Sequence, residues 1–161
     1  MTILRFLILL SLTIWIGALI FFPVVAQTSF TVLPTSHLAG LVVRNTLIDL
    51  HWMGIFAGII FLACSVVYNR VAIGRFRVFS TSHILVILML ALTAISQFKI
   101  IPRMDVLRIS AGEVSALPAS NPIRAEFDSL HAWSTRIETM VLLFGLLVLY
   151  SVARRFSKSR A

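Results

Sequence analysis

The sequence predicts an all-α integral membrane protein built as a four-helix bundle. Of its 161 residues, 59% are hydrophobic and only 12% are charged, and the mean hydropathy of +0.99 lies far outside the range of soluble globular domains. Four stretches are free of charge or interrupted by a single acid, and each is long enough to cross a bilayer, which requires about 20 apolar residues. We therefore expect one domain over residues 1–161, with spans at about residues 4–26, 48–69, 79–101 and 134–154.

The basic residues are distributed unevenly across this predicted topology. Eight of the 14 lie near the termini or between spans two and three: Arg5, Arg70, Arg75, Arg77, Arg154, Arg155, Lys158 and Arg160. All six acids lie on the other side, together with the remaining basic residues. Lys and Arg are enriched in cytoplasmic loops, so we expect both termini in the cytoplasm and a bacterial inner membrane as the location. The net charge of +8 is thus an orientation signal, and it does not indicate nucleic acid binding.

The first span starts almost at the amino terminus. Gly17 offers a surface for close helix packing, and Pro23 predicts a kink. The segment 27–36 that follows is rich in Thr and Ser and contains a proline, which indicates a turn.

The second helix is expected to begin at Thr35 or Ser36 as its N-cap and to run unbroken over residues 37–68. It exceeds a single span by about three turns, so we expect helix 2 to extend beyond the membrane on the extracytoplasmic side. Within this helix, Gly54 and Gly58 form a small-residue motif that allows another helix to approach closely.

The third span is expected to start at Ser80 or Thr81. Pro102 would then bend or end the helix, or be accommodated in a kinked continuation. Asn121 and Pro122 predict the N-cap and first residue of helix 4, which also begins outside the membrane on the extracytoplasmic side.

The last apolar stretch includes an acid, Glu138, which would lie inside the hydrocarbon layer. A carboxyl group within a span costs a few kcal/mol, so such groups usually face the bundle interior and find a partner. With about 3.6 residues per turn, Glu138 shares one helix face with His131 and Ser134. Counting residues along each helix places the other polar candidates at a similar depth: His51, Gln97, Lys99 and Arg136.

Three explanations of this polar cluster remain open. In the first, the protein is an accessory subunit without a ligand. Glu138 would then pair with Arg136 or with a histidine, and the pair would only hold the helices in register. Alternatively, the cluster binds or moves a small cation or polar solute, and this is the leading hypothesis. Its binding residues would be Glu138, His131, His51, Gln97, Ser134 and Arg136. In a redox protein, His51 and His131 would instead ligate b-type haem or copper, whereas the leading hypothesis requires no cofactor.

Other functional classes find little support in the sequence. It contains no Gly-rich phosphate loop and no Ser/His/Asp set on a soluble scaffold, so we do not predict an enzyme. Cys64 is the single cysteine, which excludes a disulfide within one chain. His37 and His83 are expected to be surface or interfacial residues. The lipid bilayer is the predicted partner, and a second copy or a membrane complex remains open.

Five short motifs follow one another along the chain: Trp15-x-Gly17, Phe22-Pro23, Ala39-Gly40, Ile101-Pro102 and Phe127-x-x-Leu130-His131-x-x-Ser134. In their order and spacing, they resemble the transmembrane protein 205-like domain family. That resemblance implies a four-span membrane fold with no assigned biochemical function. Members of the family often carry a Leu-Asn pair where this chain has Ile137-Glu138, so a titratable acid replaces a neutral amide. A looser similarity, by analogy, connects the chain to copper-resistance and protoporphyrinogen-oxidase-like four-span proteins.

Overall fold

The computed structural model describes residues 2–73 and 80–158, and within these ranges the chain is helical and contains no strand. The elements are α1 (Thr2–Val32), α2 (Ser36–Ile73), α3 (Thr81–Ile95), a π-helical turn (Ser96–Ile100), α4 (Ile101–Ala111), a 3-10 turn (Val114–Ala116) and α5 (Pro122–Lys158). Four helical units are long and apolar enough to cross a membrane: α1, α2, the continuous α3–α4 unit and α5. The predicted all-α, four-span architecture is confirmed.

The four units run antiparallel to their neighbours in sequence. α1 packs mainly against α2, α3 packs mainly against α5, and contacts of α2 with α3 and of α1 with α5 close the bundle. We call the end where α1 begins and α5 ends the proximal end, and the opposite end the distal end. Arg5 contacts Tyr68 at the proximal end, whereas Ser36 contacts Glu113 at the distal end.

Two of the predicted helix starts are confirmed by their capping bonds. The hydroxyl of Thr35 accepts a hydrogen bond from the backbone N–H of Leu38 at 3.2 Å, which caps α2. The Asn121 side-chain oxygen accepts from the N–H of Ile123 at 2.9 Å, and Pro122 is the first residue of α5.

The predicted turn over residues 27–36 is wrong in extent, because α1 continues to Val32. Hydroxyl side chains of this segment donate hydrogen bonds to backbone carbonyls of α1 itself, so the segment stays helical. Ser29 Oγ donates to the carbonyl of Val25 at 2.8 Å, and Thr31 Oγ1 donates to that of Thr28 at 2.9 Å. The connection between α1 and α2 is therefore confined to residues 33–35.

Pro102 does not end the third helical unit. Just before it, the helix widens into the π-helical turn, where the N–H of Ile101 donates to the carbonyl of Ser96, five residues earlier. This wider turn accommodates the proline ring and its missing donor, so α4 continues to Ala111. π-helical turns inside α-helices are frequent at functional sites, and Gln97 lies in this one.

α1 and α2 pack closely around Trp15. Trp15 is buried against two glycines, and a Cβ added at Gly54 would lie 2.4 Å from Trp15 Nε1. At Gly58 an added Cβ would lie 2.7 Å from a methyl carbon of Leu90. By contrast, Gly17 faces outward, and a Cβ there would meet nothing within 4 Å. The expectation of close packing at Gly17 is therefore not met within the described residues of one chain.

Candidate functional site

A buried histidine joins three helical units in the distal half of the bundle. His51 of α2 is fully buried, with Nδ1 2.8 Å from Oε1 of Gln97 and Nε2 2.7 Å from Oε1 of Glu138. Gln97 belongs to the π-helical turn and Glu138 to α5. The structure thus brings together three of the residues that the sequence placed at one depth.

Glu138 uses its two carboxylate oxygens differently. Its side chain is 13% exposed, and Oε1 pairs with the His51 ring. Oε2 is buried and has no hydrogen-bond partner among the described residues. Leaving a buried acceptor without a partner costs about 1–3 kcal/mol, so this oxygen is the least satisfied atom of the pair.

Arg136 is not the partner of Glu138. Its side chain is exposed, and its guanidinium carbon lies 5.3 Å from the centroid of the Trp133 ring. Lys99 is exposed as well. Of the partners considered from the sequence, a histidine is therefore the one that the structure pairs with Glu138.

The hydrogen-bonding pattern at His51 accommodates two states of the ring. Both atoms facing it are acceptors, an arrangement that suits an imidazole with a hydrogen on each nitrogen, and therefore an ion pair with Glu138. Rotation of the Gln97 amide would present its NH2 group to Nδ1 and serve a neutral ring equally well. The site can therefore keep its hydrogen bonds whether or not the ring carries the additional proton.

Glu138 also lines a cavity of about 580 Å³. This volume is typical of small-molecule sites, which enclose about 300–1,000 Å³. Its polar lining includes Ser36, His37, Arg44, Asp105, Arg108, Glu113, Asp128, His131, Ser134, Thr135 and Glu138. Its apolar lining includes Leu19, Phe22, Phe30, Leu47, Met104 and Phe127. The cavity therefore has apolar walls with a few charged groups, the usual composition of a ligand pocket.

A charged cluster that the sequence did not predict lies in the same cavity. Arg44 donates through Nε to Asp105 at 2.8 Å, and its Nη2 contacts the other carboxylate oxygen. Nη1 of Arg108 is 3.8 Å from Asp105, and its guanidinium carbon lies 5.2 Å from the centroid of the Phe127 ring. Because Arg44 and Asp105 are 61 residues apart, no local pattern could have joined them.

The remaining predicted site residues are divided between the cavity and the surface. Ser134 is buried, His131 is exposed, and both line the cavity, whereas Arg136 does not. His37 is exposed as expected and also lines the cavity. A haem or copper ion bound by His51 and His131 would require the His51 ring to release one of its hydrogen bonds. Within the described residues, no group of three or more His, Cys, Asp or Glu side chains could hold a metal ion.

The expectation that His83 is a surface or interfacial residue is wrong. His83 is only 2% exposed, and its Nε2 lies 3.0 Å from the Ser65 hydroxyl, while Nδ1 contacts that of Ser80. Two hydroxyls, one from α2 and one at the start of α3, satisfy the ring and allow its burial. The feature of the sequence that could have indicated this burial was Ser65, a polar residue within an apolar stretch of α2.

Comparison with known proteins identifies one family. A family model described as a domain of unknown function (DUF4149) matches residues 10–112. These residues include His51 and Gln97, whereas Glu138 lies beyond them. No curated protein and no solved structure matches the chain.

Proposed function

The chain belongs to the DUF4149 family, whose function is unknown, and we propose that it is a membrane protein that binds a small cation or polar solute. The observation that supports this proposal is the second carboxylate oxygen of Glu138. It is buried, it has no hydrogen-bond partner among the described residues, and its side chain lines the cavity. A ligand that donates a hydrogen bond or carries positive charge would satisfy it.

The charges around the cavity favour a cationic ligand. Four carboxylates line it: Asp105, Glu113, Asp128 and Glu138. Only two guanidinium groups do so, those of Arg44 and Arg108. The acids therefore outnumber the arginines, so the charged side chains of the lining sum to a negative charge, which attracts a cation.

In this proposal, Glu138 is the binding group and two neighbours position it. The His51 ring orients the carboxylate through Oε1, and Gln97 orients the ring in turn. This arrangement leaves Oε2 without a partner among the described residues. Because Oε2 is buried, a ligand would contact it only after the Glu138 side chain turns further into the cavity that it lines.

Binding can be tested with the purified protein in lipid nanodiscs. Calorimetric titration would use a defined panel of probes: Na⁺, K⁺, tetramethylammonium, hexylamine and uncharged hexanol. We expect at least one cation to bind, and Glu138→Gln to weaken it by about tenfold or more, the equivalent of roughly 1.4 kcal/mol. Asp49→Asn is the matched control, because Asp49 is exposed and does not line the cavity. No binding by any cation, or equal losses in both variants, would contradict the proposal.

The accessory-subunit hypothesis is a second candidate, favoured by the hydrogen bonds that connect three helical units through His51. It predicts that Glu138→Gln lowers the thermal stability while no probe binds to either protein. An absorption spectrum of the same preparations tests the redox alternative. A Soret band that disappears in His51→Leu would indicate haem and replace the cation proposal.

We also propose a membrane orientation for the chain and a more specific family assignment. The charge distribution supports cytoplasmic termini in a bacterial inner membrane, and the motif order supports the transmembrane protein 205-like assignment. With 38 residues, α2 is about 57 Å long against a hydrocarbon layer of about 30 Å, which supports an extension on the distal, extracytoplasmic side. A carboxyl-terminal green fluorescent protein fusion should fluoresce, whereas an active alkaline phosphatase fusion at that position would reverse the orientation.

A further inference from the structure

Arg108 of α4 is a largely buried cation that donates no hydrogen bond within the described part of the chain. Its side chain is 19% exposed, and its Nη1 is buried without a hydrogen-bond partner among those residues. Oδ1 of Asp105 is 3.8 Å from Nη1, which is beyond hydrogen-bond distance. Both oxygens of Asp105 already contact Arg44. This group of two arginines and one acid therefore keeps one positive charge, and an added monoanion would neutralise it.

Packing holds the Arg108 guanidinium group at the wall of the cavity that Glu138 also lines. Its carbon lies 5.2 Å from the centroid of the Phe127 ring in α5. α2 approaches it at Gly40, where an added Cβ would lie 3.7 Å from Nη2 of Arg108. A small rotation of the Arg108 side chain into the cavity would present its planar fork of donors, which matches the two oxygens of a carboxylate.

Arg108 and Glu138 lie at different depths of the cavity. Phe127, which contacts Arg108, is 11 residues before Glu138 in α5, a rise of about 16 Å. On the α3–α4 unit, Gln97 is joined to Glu138 through His51 and lies 11 residues before Arg108, which again corresponds to about 16 Å. Two helices thus give the same separation, and a compact ion cannot contact both groups.

The cavity between these two depths has an apolar wall on α1. A Cβ added at Gly145 of α5 would lie 3.0 Å from Ile16 of α1, so the two residues are level. Because the helices are antiparallel, α1 reaches the level of Glu138 seven residues later. Beyond that level, Ala26 and Phe30 line the cavity toward the distal end. An alkyl chain lying on this wall would remove apolar surface from water.

We propose that the ligand of this cavity is an elongated amphiphile with an amino group at one end and a carboxylate at the other. The amino group binds Glu138, the alkyl chain lies on the α1 wall, and the carboxylate binds Arg108. This inference rests on the proposed cation binding at Glu138 and adds to it a length and a second charged end. Such a ligand supplies both the donor that Oε2 of Glu138 lacks and the acceptor that Nη1 of Arg108 lacks.

Calorimetric titration of the protein in nanodiscs can compare three probes of equal chain length: ω-aminododecanoate, dodecylamine and dodecanoate. Empty nanodiscs correct each titration for partitioning into lipid. The extended chain of ω-aminododecanoate has about the length of the separation between the two groups. We expect it to bind about tenfold more tightly than either one-ended probe, because it alone makes both charge-assisted contacts. The shorter ω-aminohexanoate should bind no more tightly than hexylamine.

Arg108→Gln should abolish the advantage of ω-aminododecanoate over dodecylamine without weakening dodecylamine, whose retained binding shows that the variant is folded. Arg136→Gln is the matched control, because it removes the same charge from an exposed residue that does not line the cavity, and it should preserve the advantage. Glu138→Gln should weaken both amines.

Two outcomes overturn this inference while leaving the cation proposal in place. In the first, dodecylamine binds through Glu138 but the added carboxylate brings no gain in affinity. In the second, Arg136→Gln abolishes the gain as fully as Arg108→Gln does. Dodecanoate binding as tightly as ω-aminododecanoate would also overturn it, because the amino end would then contribute nothing. If no cation of either probe panel binds, the cation proposal fails and this inference fails with it.

Discussion

Two buried histidines in opposite halves of the bundle show how the partner of a ring determines what the ring can do. His51 and His83 are equally inaccessible, and both ring nitrogens of each are engaged. His83 faces the hydroxyls of Ser65 and Ser80, which can donate or accept and therefore satisfy a neutral ring. His51 faces a carboxylate, which only accepts.

The difference extends to what lies beyond each ring. The hydroxyls at His83 complete a neutral cluster, and His83 does not line the large cavity. Glu138 beside His51 keeps a second oxygen without a partner among the described residues and does line that cavity. Burial of a histidine is therefore not by itself evidence for a binding site, and the proposed cation site depends on the second oxygen of Glu138.

Replacing each histidine by leucine should show the energetic difference between the two clusters most clearly. His51→Leu removes the hydrogen-bond partner of both the buried Glu138 carboxylate and Gln97, and we expect a loss of about 1–3 kcal/mol in the free energy of unfolding for each group left without a partner. His83→Leu leaves two hydroxyls that can bond to their own helices, so the loss should be about 1–2 kcal/mol. Reversible denaturation in mixed micelles measures both.

A double variant provides the control for that pair. Adding Glu138→Leu to His51→Leu should recover part of the lost stability, because the isolated carboxylate is then removed as well. Equal losses for His51→Leu and His83→Leu would show that the two clusters are energetically equivalent, and the distinction drawn between them would not hold.

Gly54 lies about one helical turn after His51 in α2, and its substitution tests the packing that supports the histidine. Gly54→Ala should lower the unfolding free energy by about 1–3 kcal/mol, because its Cβ would overlap the rigid Trp15 ring. Gly17→Ala is the matched control in α1, where nothing lies within 4 Å of the added atom. There the higher helix propensity of alanine should raise stability by up to about 1 kcal/mol. Similar losses at both positions would place a packing partner against Gly17.

The smallest effects should come from the neutral partners of the two rings. Ser65→Ala removes one hydrogen bond to His83 and should cost about 1 kcal/mol, with no change in the binding of any cationic probe. Gln97→Ala removes the corresponding bond to His51, at a similar cost in unfolding free energy. Because it also releases the ring that orients Glu138, probe affinity should fall. Unchanged affinity would argue against a positioning role for Gln97.

The spacing of residues along α5 already argues against Arg136 as the partner of Glu138. Arg136 lies two residues before Glu138, and residues at that spacing point to different sides of a helix, so Arg136 was a poor candidate as its partner. The structure agrees, with Arg136 exposed over the Trp133 ring. The burial of His83, by contrast, depended on Ser65 from another helix, and no spacing within α3 could have shown it.

Local sequence patterns were sufficient to predict the helical class, the number of membrane-length helices, the caps at Thr35 and Asn121, and the common depth of His51, Gln97 and Glu138. Each of these follows from local chemistry or from the need to satisfy every backbone group inside a bilayer, which leaves helices as the solution for such a chain. Which polar groups face one another became clear from the packed bundle, because the rotation of one helix against the next depends on side-chain packing such as that of Trp15 on Gly54. The hydropathy pattern sets how deep a residue lies and indicates which face of a helix turns inward, but it does not show which residues of the other helices that face will meet.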